Sequence, residues 1–316
     1  MYSRRKFVKH SVLGAIGSIP LASSASSILT NTISDIKELE LFVFSKHLQF
    51  LNYKDMSEAA REIGFDGIDL TVRPKGHVLP EKVADDLPKA TEAMKSFGFK
   101  NQMITTSIKN ANNPIDSNIL EVASQQQFMY YRMGWLKYAK SKNIIESVNV
   151  FKDQVKKLAH LNQELGIKGT YQNHAGYYMG SSIWDLDQVL EGISKDHMGC
   201  QYDITHATVE GGRNWELGFE LIKDHINSLV IKDFKWEKVN GKWKSVYAPI
   251  GEGMVDFKKF FSLLKKHKIQ VPISMHFEYP LGGAEKGKET ISVDQKVVFD
   301  AMKKDIETLK TYWAEA

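Results

Sequence analysis

The sequence predicts a (β/α)8 barrel, a single domain behind an N-terminal signal segment, and three observations carry the prediction. The first is a repeated punctuation: Ile63-Gly64-Phe65, Phe97-Gly98-Phe99 and Leu165-Gly166-Ile167 each follow an amphipathic stretch and precede an apolar one, and the glycines stand 34 and 68 residues apart. Glycine accepts the left-handed conformation just past a helix end, and the apolar residue after it starts the next strand. The second is alternation of two periods. Val83, Leu87, Ala90, Met94 and Phe97 step by four and three along one helical face, as do Val155, Leu158, Ala159 and Leu165, while short apolar runs lie between such segments. Strands alternating with helices imply a parallel sheet with helical crossovers. The third is length: 316 residues hold eight repeats of this size and a leader, and eight units favour closure into a barrel of about 250 residues. No Gly-x-Gly-x-x-Gly follows the first apolar run, which argues against a dinucleotide-binding open sheet.

The elements follow in order. Strands are expected near 39–44, 67–71, 100–105, 128–133, 168–173, 198–203, 228–233 and 272–277. Helices are expected near 54–63, 81–97, 116–126, 150–165, 185–194, 215–226, 256–267 and 293–313. The fourth strand carries the weakest pattern, Phe128 to Met133 with little alternation.

Residues 1–30 differ in kind from the remainder, 31–316, which is assigned to the barrel. Ser3-Arg4-Arg5-Lys6-Phe7-Val8-Lys9 leads into a modestly apolar stretch, Ser11 to Ala22, and then small residues through Ser27. That is the basic, apolar, small-residue order of an export signal. The arginine pair followed by Phe and Lys resembles the twin-arginine signal, which exports folded proteins. A periplasmic destination is therefore expected, with cleavage after Ala25. Cys200 is the sole cysteine, so neither an intrachain disulfide nor a thiolate metal site is available. Net charge is +4 with opposite signs interspersed, and no basic block with interleaved aromatics points to nucleic acid. No apolar run reaches the roughly 20 residues needed to span a bilayer.

The chemistry is expected at strand tips. In a (β/α)8 barrel the active site lies at the C-terminal ends of the strands, and four of these ends are polar: Tyr171-Gln172-Asn173-His174, Gln201-Tyr202-Asp203-Ile204-Thr205-His206, Val230-Ile231-Lys232-Asp233 and Met275-His276-Phe277-Glu278. Side chains alternate along a strand, so Gln172 and His174 share a face, as do His276 and Glu278. Burying so many polar groups is costly unless they pair or hold a cation. Asp203 and Glu278 offer oxygen and His206, His174 and His276 nitrogen, a mixed set suited to Mn, Zn, Co or Mg. A single histidine is more often a satisfied core residue than a ligand. His47, His77, His160, His197, His225 and His267 stay unassigned.

Asp203-x-x-His206, Lys232-Asp233, Gly251-Glu252-Gly253 and Glu278 resemble, in this order, the xylose-isomerase-like TIM barrels, the sugar isomerase/epimerase superfamily; the likeness runs from about 39 to 312. The resemblance implies one divalent ion held by acids and histidines of strands five to eight, and proton transfer through an enediolate. It assigns Asp203 and Glu278 as metal ligands and His206 as a substrate contact that also belongs to the candidate metal and catalytic sets. Two positions depart from the pattern. The strand-five Glu is matched by Gln172, here taken as a candidate amide-oxygen ligand, and the strand-seven His by Val230. Gln cannot take a proton, so the two-carboxylate mechanism lacks a member. Lys232, with its pKa lowered by desolvation beside a cation, and His174 are the expected replacements.

The expected function is a divalent-metal-dependent sugar isomerase or epimerase working through an enolate. A lyase that opens 3-keto-glycosides by β-elimination follows closely, because elimination needs one proton-removing group. A sugar-binding protein that has lost catalysis is the third reading. Trp184, Trp215 and Trp236, after strands five, six and seven, are candidates to stack on a sugar ring, and Arg73 to reach substrate oxygens; packing serves equally well for each. The expected partner is a small carbohydrate or glycoside, with homo-oligomerisation or a completing partner subunit left open.

Overall fold

In the computed structural model, residues 38–100 and 103–316 are described. The expected export signal at 1–30 and its cleavage after Ala25 lie outside them. Residues 39–316 form one compact unit, a closed barrel of eight parallel strands with helices around it.

Seven barrel strands come first in the chain: β1 Leu41–Phe44, β2 Gly67–Val72, β3 Met103–Thr106, β4 Tyr130–Arg132, β5 Lys168–Gln172, β6 Met198–Asp203 and β7 Ile226–Ile231. An antiparallel hairpin follows, β8 Asp233–Val239 and β9 Lys242–Ala248, and the eighth barrel strand is β10 Ile273–Met275. Closure is made by β1 against β10, with Leu41, Phe42 and Val43 opposite Ile273, Ser274 and Met275. All eight barrel strands lie where the sequence places them.

The helices are α1 Tyr53–Ile63, α2 Val83–Ser96, α3 Pro114–Gln125, α4 Ile144–Leu165, α5 Ile183–Leu190, α6 Ile204–Gly211, α7 Trp215–Ile222, α8 Phe257–Lys266 and α9 Gln295–Glu315. The punctuating glycines take the conformation that their role demands, with φ of +103° at Gly64, +81° at Gly98 and +66° at Gly166. Helix starts are capped by short polar side chains. Asn143 accepts from the Glu146 N–H while the Glu146 side chain reaches back to the Asn143 N–H, which satisfies two helix-end donors reciprocally. The apolar face of α8 buries Phe257, Phe260, Phe261 and Leu264, each worth about 1.5–3 kcal/mol of transfer free energy.

Two elements go beyond the expectation. Helix α6 begins directly after β6. The hairpin β8–β9 extends the loop after β7, turning at Asn240-Gly241 with φ of +50° and +77°, the positive-φ pair that a two-residue hairpin loop requires. No described helix is long and apolar enough to cross a membrane.

Candidate active site

A cavity of about 200 Å³ opens at the C-terminal ends of the strands, and Lys46, Arg73, Arg132, Gln172, His174, Lys232, His276 and Glu278 supply its polar lining. Phe44, Trp135 and Tyr247 supply the aromatic part. Five of these residues were named from sequence as strand-tip groups, and Arg73 as a substrate contact.

Beneath the cavity, Asp203 ends β6 and caps α6. Its Oδ1 accepts from the His206 N–H at 3.0 Å, so the Asp-x-x-His spacing is that of a helix cap and the third helical residue. The same geometry throws the His206 ring back over the carboxylate. Oδ2 is left for two other donors: Gln172 Nε2 at 2.7 Å and Lys232 Nζ at 2.8 Å. The lysine also donates to His206 Nε2 at 3.0 Å. Asn173 ties the strand tip down, accepting from the Asp203 N–H and donating to its carbonyl.

The charges follow from this packing. Burial alone would raise the Asp203 carboxyl, but Lys232 and the His206 backbone N–H hold it well below the usual range. Burial works to lower Lys232; Asp203, with Tyr247 and Glu278, more than offsets it, and the pKa is raised. Lys232 is therefore a resident ammonium rather than the lowered-pKa base expected from the sequence. Burial, with Lys232 alongside, drives His206 and His174 down, so both rings are neutral. In His174, Nδ1 donates to the Ala175 carbonyl at 2.8 Å, which leaves the lone pair on Nε2. Its ring lies 4.0 Å from that of His206 and 4.5 Å from Trp135.

On the opposite wall Glu278 pairs with Lys46 Nζ at 2.8 Å and lies 3.7 Å from His276 Nδ1. Burial opposes its ionisation, yet His276, His47 and Lys46 hold the carboxyl well below the usual range. His276 stacks on Phe44 at 4.3 Å and is pushed by burial to about 4. His47, left unassigned from sequence, is structural: Nδ1 donates to the Ala284 carbonyl and Nε2 accepts from the Phe277 N–H.

The candidate metal set of Asp203, Glu278, Gln172 and His206 does not form an open cage. Asp203 and His206 converge on the ammonium of Lys232, and Gln172 donates to the same Asp203 oxygen. The Gln172 amide nitrogen faces Asp203, and its oxygen accepts from Arg132 Nη1 at 2.8 Å; a flipped amide would set oxygen against carboxylate and nitrogen against guanidinium. Val230, at the strand-seven ligand position, is buried and apolar. Among the described residues no cluster of three or more His, Cys, Asp or Glu is arranged to hold a metal. In this arrangement the Asp203, His206 and Gln172 donors of that set are taken up by the Lys232 ammonium and by Arg132.

The tryptophans singled out from sequence stand elsewhere. Trp184 and Trp215 line a separate cavity of about 150 Å³, and Trp236 is 42 % exposed on the hairpin. Packing and hairpin geometry set these positions. The cavity's own aromatics, Phe44, Trp135 and Tyr247, and two of its cations, Lys46 and Arg132, do not stand out in the sequence. Lys46 lies two residues past the apolar run of β1, a polar tip like the four read from sequence. Arg132 ends the weakly patterned β4, and Tyr247 sits on the unexpected hairpin.

Comparison with solved structures places the chain beside several sugar enzymes of this fold. It superposes on 3-keto-D-glucoside 4-epimerase from E. coli with a TM-score of 0.64 at 13% identity, covering 85% of this chain and 100% of that one. A D-allulose 3-epimerase from Methylomonas sp., solved in complex with D-allulose, gives 0.64 at 14%, covering 88% and 98%. A xylose isomerase-like TIM barrel protein from Mycobacterium smegmatis, solved in complex with magnesium, gives 0.61 at 11%, covering 87% and 98%. At these identities the likeness is one of fold. A search of curated proteins returns no match. The family model described as xylose isomerase-like TIM barrel matches residues 57–294, and with the closed eight-stranded barrel the chain belongs to that family.

Proposed function

We propose that the chain is a carbohydrate-modifying enzyme that enolises a keto-sugar, with Lys232 as the resident cation and His174 as the base. The carrying observation is the third N–H of Lys232. An ammonium has three donors; one goes to Asp203 and one to His206, and the third is free to meet a carbonyl oxygen in the cavity that Lys232 lines. A preorganised buried cation aimed at a developing oxyanion is worth far more than the same group in water. His174 Nε2 removes the proton from the carbon beside the carbonyl, and the electron pair moves onto the oxygen held by Lys232.

β-Elimination is the outcome that the residues favour. Gln172 cannot exchange a proton, and Glu278, held ionised by Lys46 and His276, has none to return to the enolate, so neither the strand-five nor the strand-eight position supplies the acid that epimerisation needs. The enolate re-forms the C=O bond, a C–C double bond forms, and the C–O bond at the β carbon breaks. The leaving oxygen takes the proton from the His174 imidazolium. In a 3-keto-glucoside the proton comes from C2 and the bond broken is the glycosidic one at C1. Isomerisation or epimerisation is the second reading, supported by the sugar epimerases among the fold neighbours; it calls for a second proton donor.

The test is proton NMR in D2O, with and without a chelator, of the protein with a 3-keto-glucoside and with a free ketose. Aglycone release with an unsaturated keto-sugar, unaffected by chelator, is expected. Deuterium entering the ketose with a new epimer would favour the second reading, and activity abolished by chelator would sink Lys232 as the cation. We further propose that residues 1–30 direct export to the periplasm.

A further inference from the structure

Two guanidinium groups line the cavity, and among the described residues neither forms an ion pair. Arg132 is 3 % exposed. Its Nη1 donates to the neutral Gln172 oxygen, its charge lies 4.4 Å over the Trp135 ring, and its Nε has no hydrogen-bond partner in the protein. Arg73, at the exit of β2, lies 5.3 Å over the Phe44 ring. The cavity's lysines are engaged, Lys46 by Glu278 and Lys232 by Asp203. Asp69 attracts both arginines through space, but its carboxylate takes its hydrogen bonds from Thr105 and Ser274.

A buried guanidinium answered by a neutral amide keeps much of its desolvation cost. Burial draws Arg132 down to about 9, which registers that cost and leaves the group charged at neutral pH. Arg forks match carboxylates bidentately, and the aromatic face beneath each guanidinium fixes its plane. Phosphate is the weaker match, since no glycine lines the cavity and there is no backbone cradle of the kind that binds it.

We propose that Arg73 and Arg132 clamp a carboxylate on the substrate, so that this enzyme acts on acidic sugars such as keto-uronates and their glycosides. The proposal rests on reading the cavity as the sugar site. An acidic substrate also places its second charge away from the oxyanion that Lys232 holds, so the two anions have separate counter-ions.

The test is calorimetric titration of the full chain with methyl β-D-glucuronide, methyl β-D-glucoside and glucose 6-phosphate at one ionic strength. The glucuronide is expected to bind at least about tenfold tighter than either. Arg73→Gln should cut that preference to about twofold, and Arg132→Lys, which keeps the charge and loses the fork, should weaken the glucuronide about tenfold. Equal binding of glucuronide and glucoside, or preference for the phosphate ester, overturns the clamp, as does an unchanged preference in both variants. Binding is read without turnover, so the two readings fail separately. A glucuronide that binds tightly while its 3-keto form is not enolised upholds the clamp and sinks the enolising reaction. Turnover of a neutral 3-keto-glucoside with no gain from a carboxylate does the reverse.

Discussion

In the proposed mechanism Lys232 does at one atom what the resemblance assigns to a divalent ion, and its environment explains why it stays charged. Asp203 at 2.8 Å supplies the counter-charge, and His206 accepts as a neutral ring. Lys232→Met should lower kcat on the keto-sugar about 10²–10³-fold, the usual loss when one preorganised oxyanion donor is removed. It should also cost about 3–5 kcal/mol of stability, because Asp203 is left buried without its cation. Adding Asp203→Asn removes the stranded charge and keeps an acceptor for the His206 N–H, so the double variant should regain much of the denaturation midpoint and none of the turnover. Recovered turnover would sink the assignment. His174 gives a second reading at this scale. Lys232 and Arg132 face it with Asp203 and His206, and burial with Lys232 lowers its pKa from 6.5. In the proposed mechanism the neutral ring is the active form, so turnover should hold through neutral pH and fall only as pH drops through a value below 6.5. His174→Asn should remove activity, and an unchanged acid limb in a slow residual reaction would assign that limb elsewhere.

The Lys232-Asp233 pair divides its labour between neighbouring elements. Lys232 faces the cavity, while Asp233 opens the hairpin and gathers four backbone donors: Phe234 and Val255 on Oδ1, Gly251 and Gly253 on Oδ2. A Cβ at position 253 would stand 2.1 Å from Asp233 Oδ1, so glycine is required there by close approach. The Gly251-Glu252-Gly253 motif is thus a loop clasp, and it holds the hairpin that carries Tyr247 to the cavity. Asp233→Ala strands four N–H groups in a part-buried loop and should lower stability by about 2–4 kcal/mol, read as a shifted urea midpoint. KM should rise with it, because Tyr247 loses its anchor; an unchanged midpoint would mean that water replaces the carboxylate. This region also shows what could be read from sequence. The eight barrel strands were legible because apolar runs and left-handed glycines are local signals. The hairpin carried a local signal too, Val239-Asn240-Gly241-Lys242, masked by the expectation that a helix follows each barrel strand. Helix α6 was hidden because a strand-end aspartate and a helix-cap aspartate look alike in one sequence. Lys46 carried the polar-tip signal past the end of β1, and Arg132 lay at the end of a strand whose pattern was too weak to fix its tip.

At the scale of the whole molecule, the proposed export signal implies that the barrel reaches its destination folded. The Arg4-Arg5 pair, the modest apolarity of Ser11 to Ala22 and the small residues through Ser27 resemble the signal of the route that carries folded proteins. The barrel itself has nothing that needs an oxidising compartment, since its one cysteine, Cys200, is buried and its thiol is pushed up by burial. Its stability comes from a single closed core in which β1 pairs with β10. Sheet closure between the first and last strands makes a long-range contact that an unfolded, threaded chain would have to re-form after translocation. Arg4→Lys with Arg5→Lys keeps the charge and hydropathy of the segment and removes the paired guanidinium signal. In a host with a twin-arginine pathway, the unaltered chain should appear in the periplasm shortened near Ala25, and the doubly substituted chain should stay in the cytoplasm at full length. Both forms should show the same denaturation midpoint once purified without residues 1–30. Periplasmic accumulation of the Lys-Lys form, undiminished, would show that the segment works as a general secretory signal, and would place folding of the barrel after export.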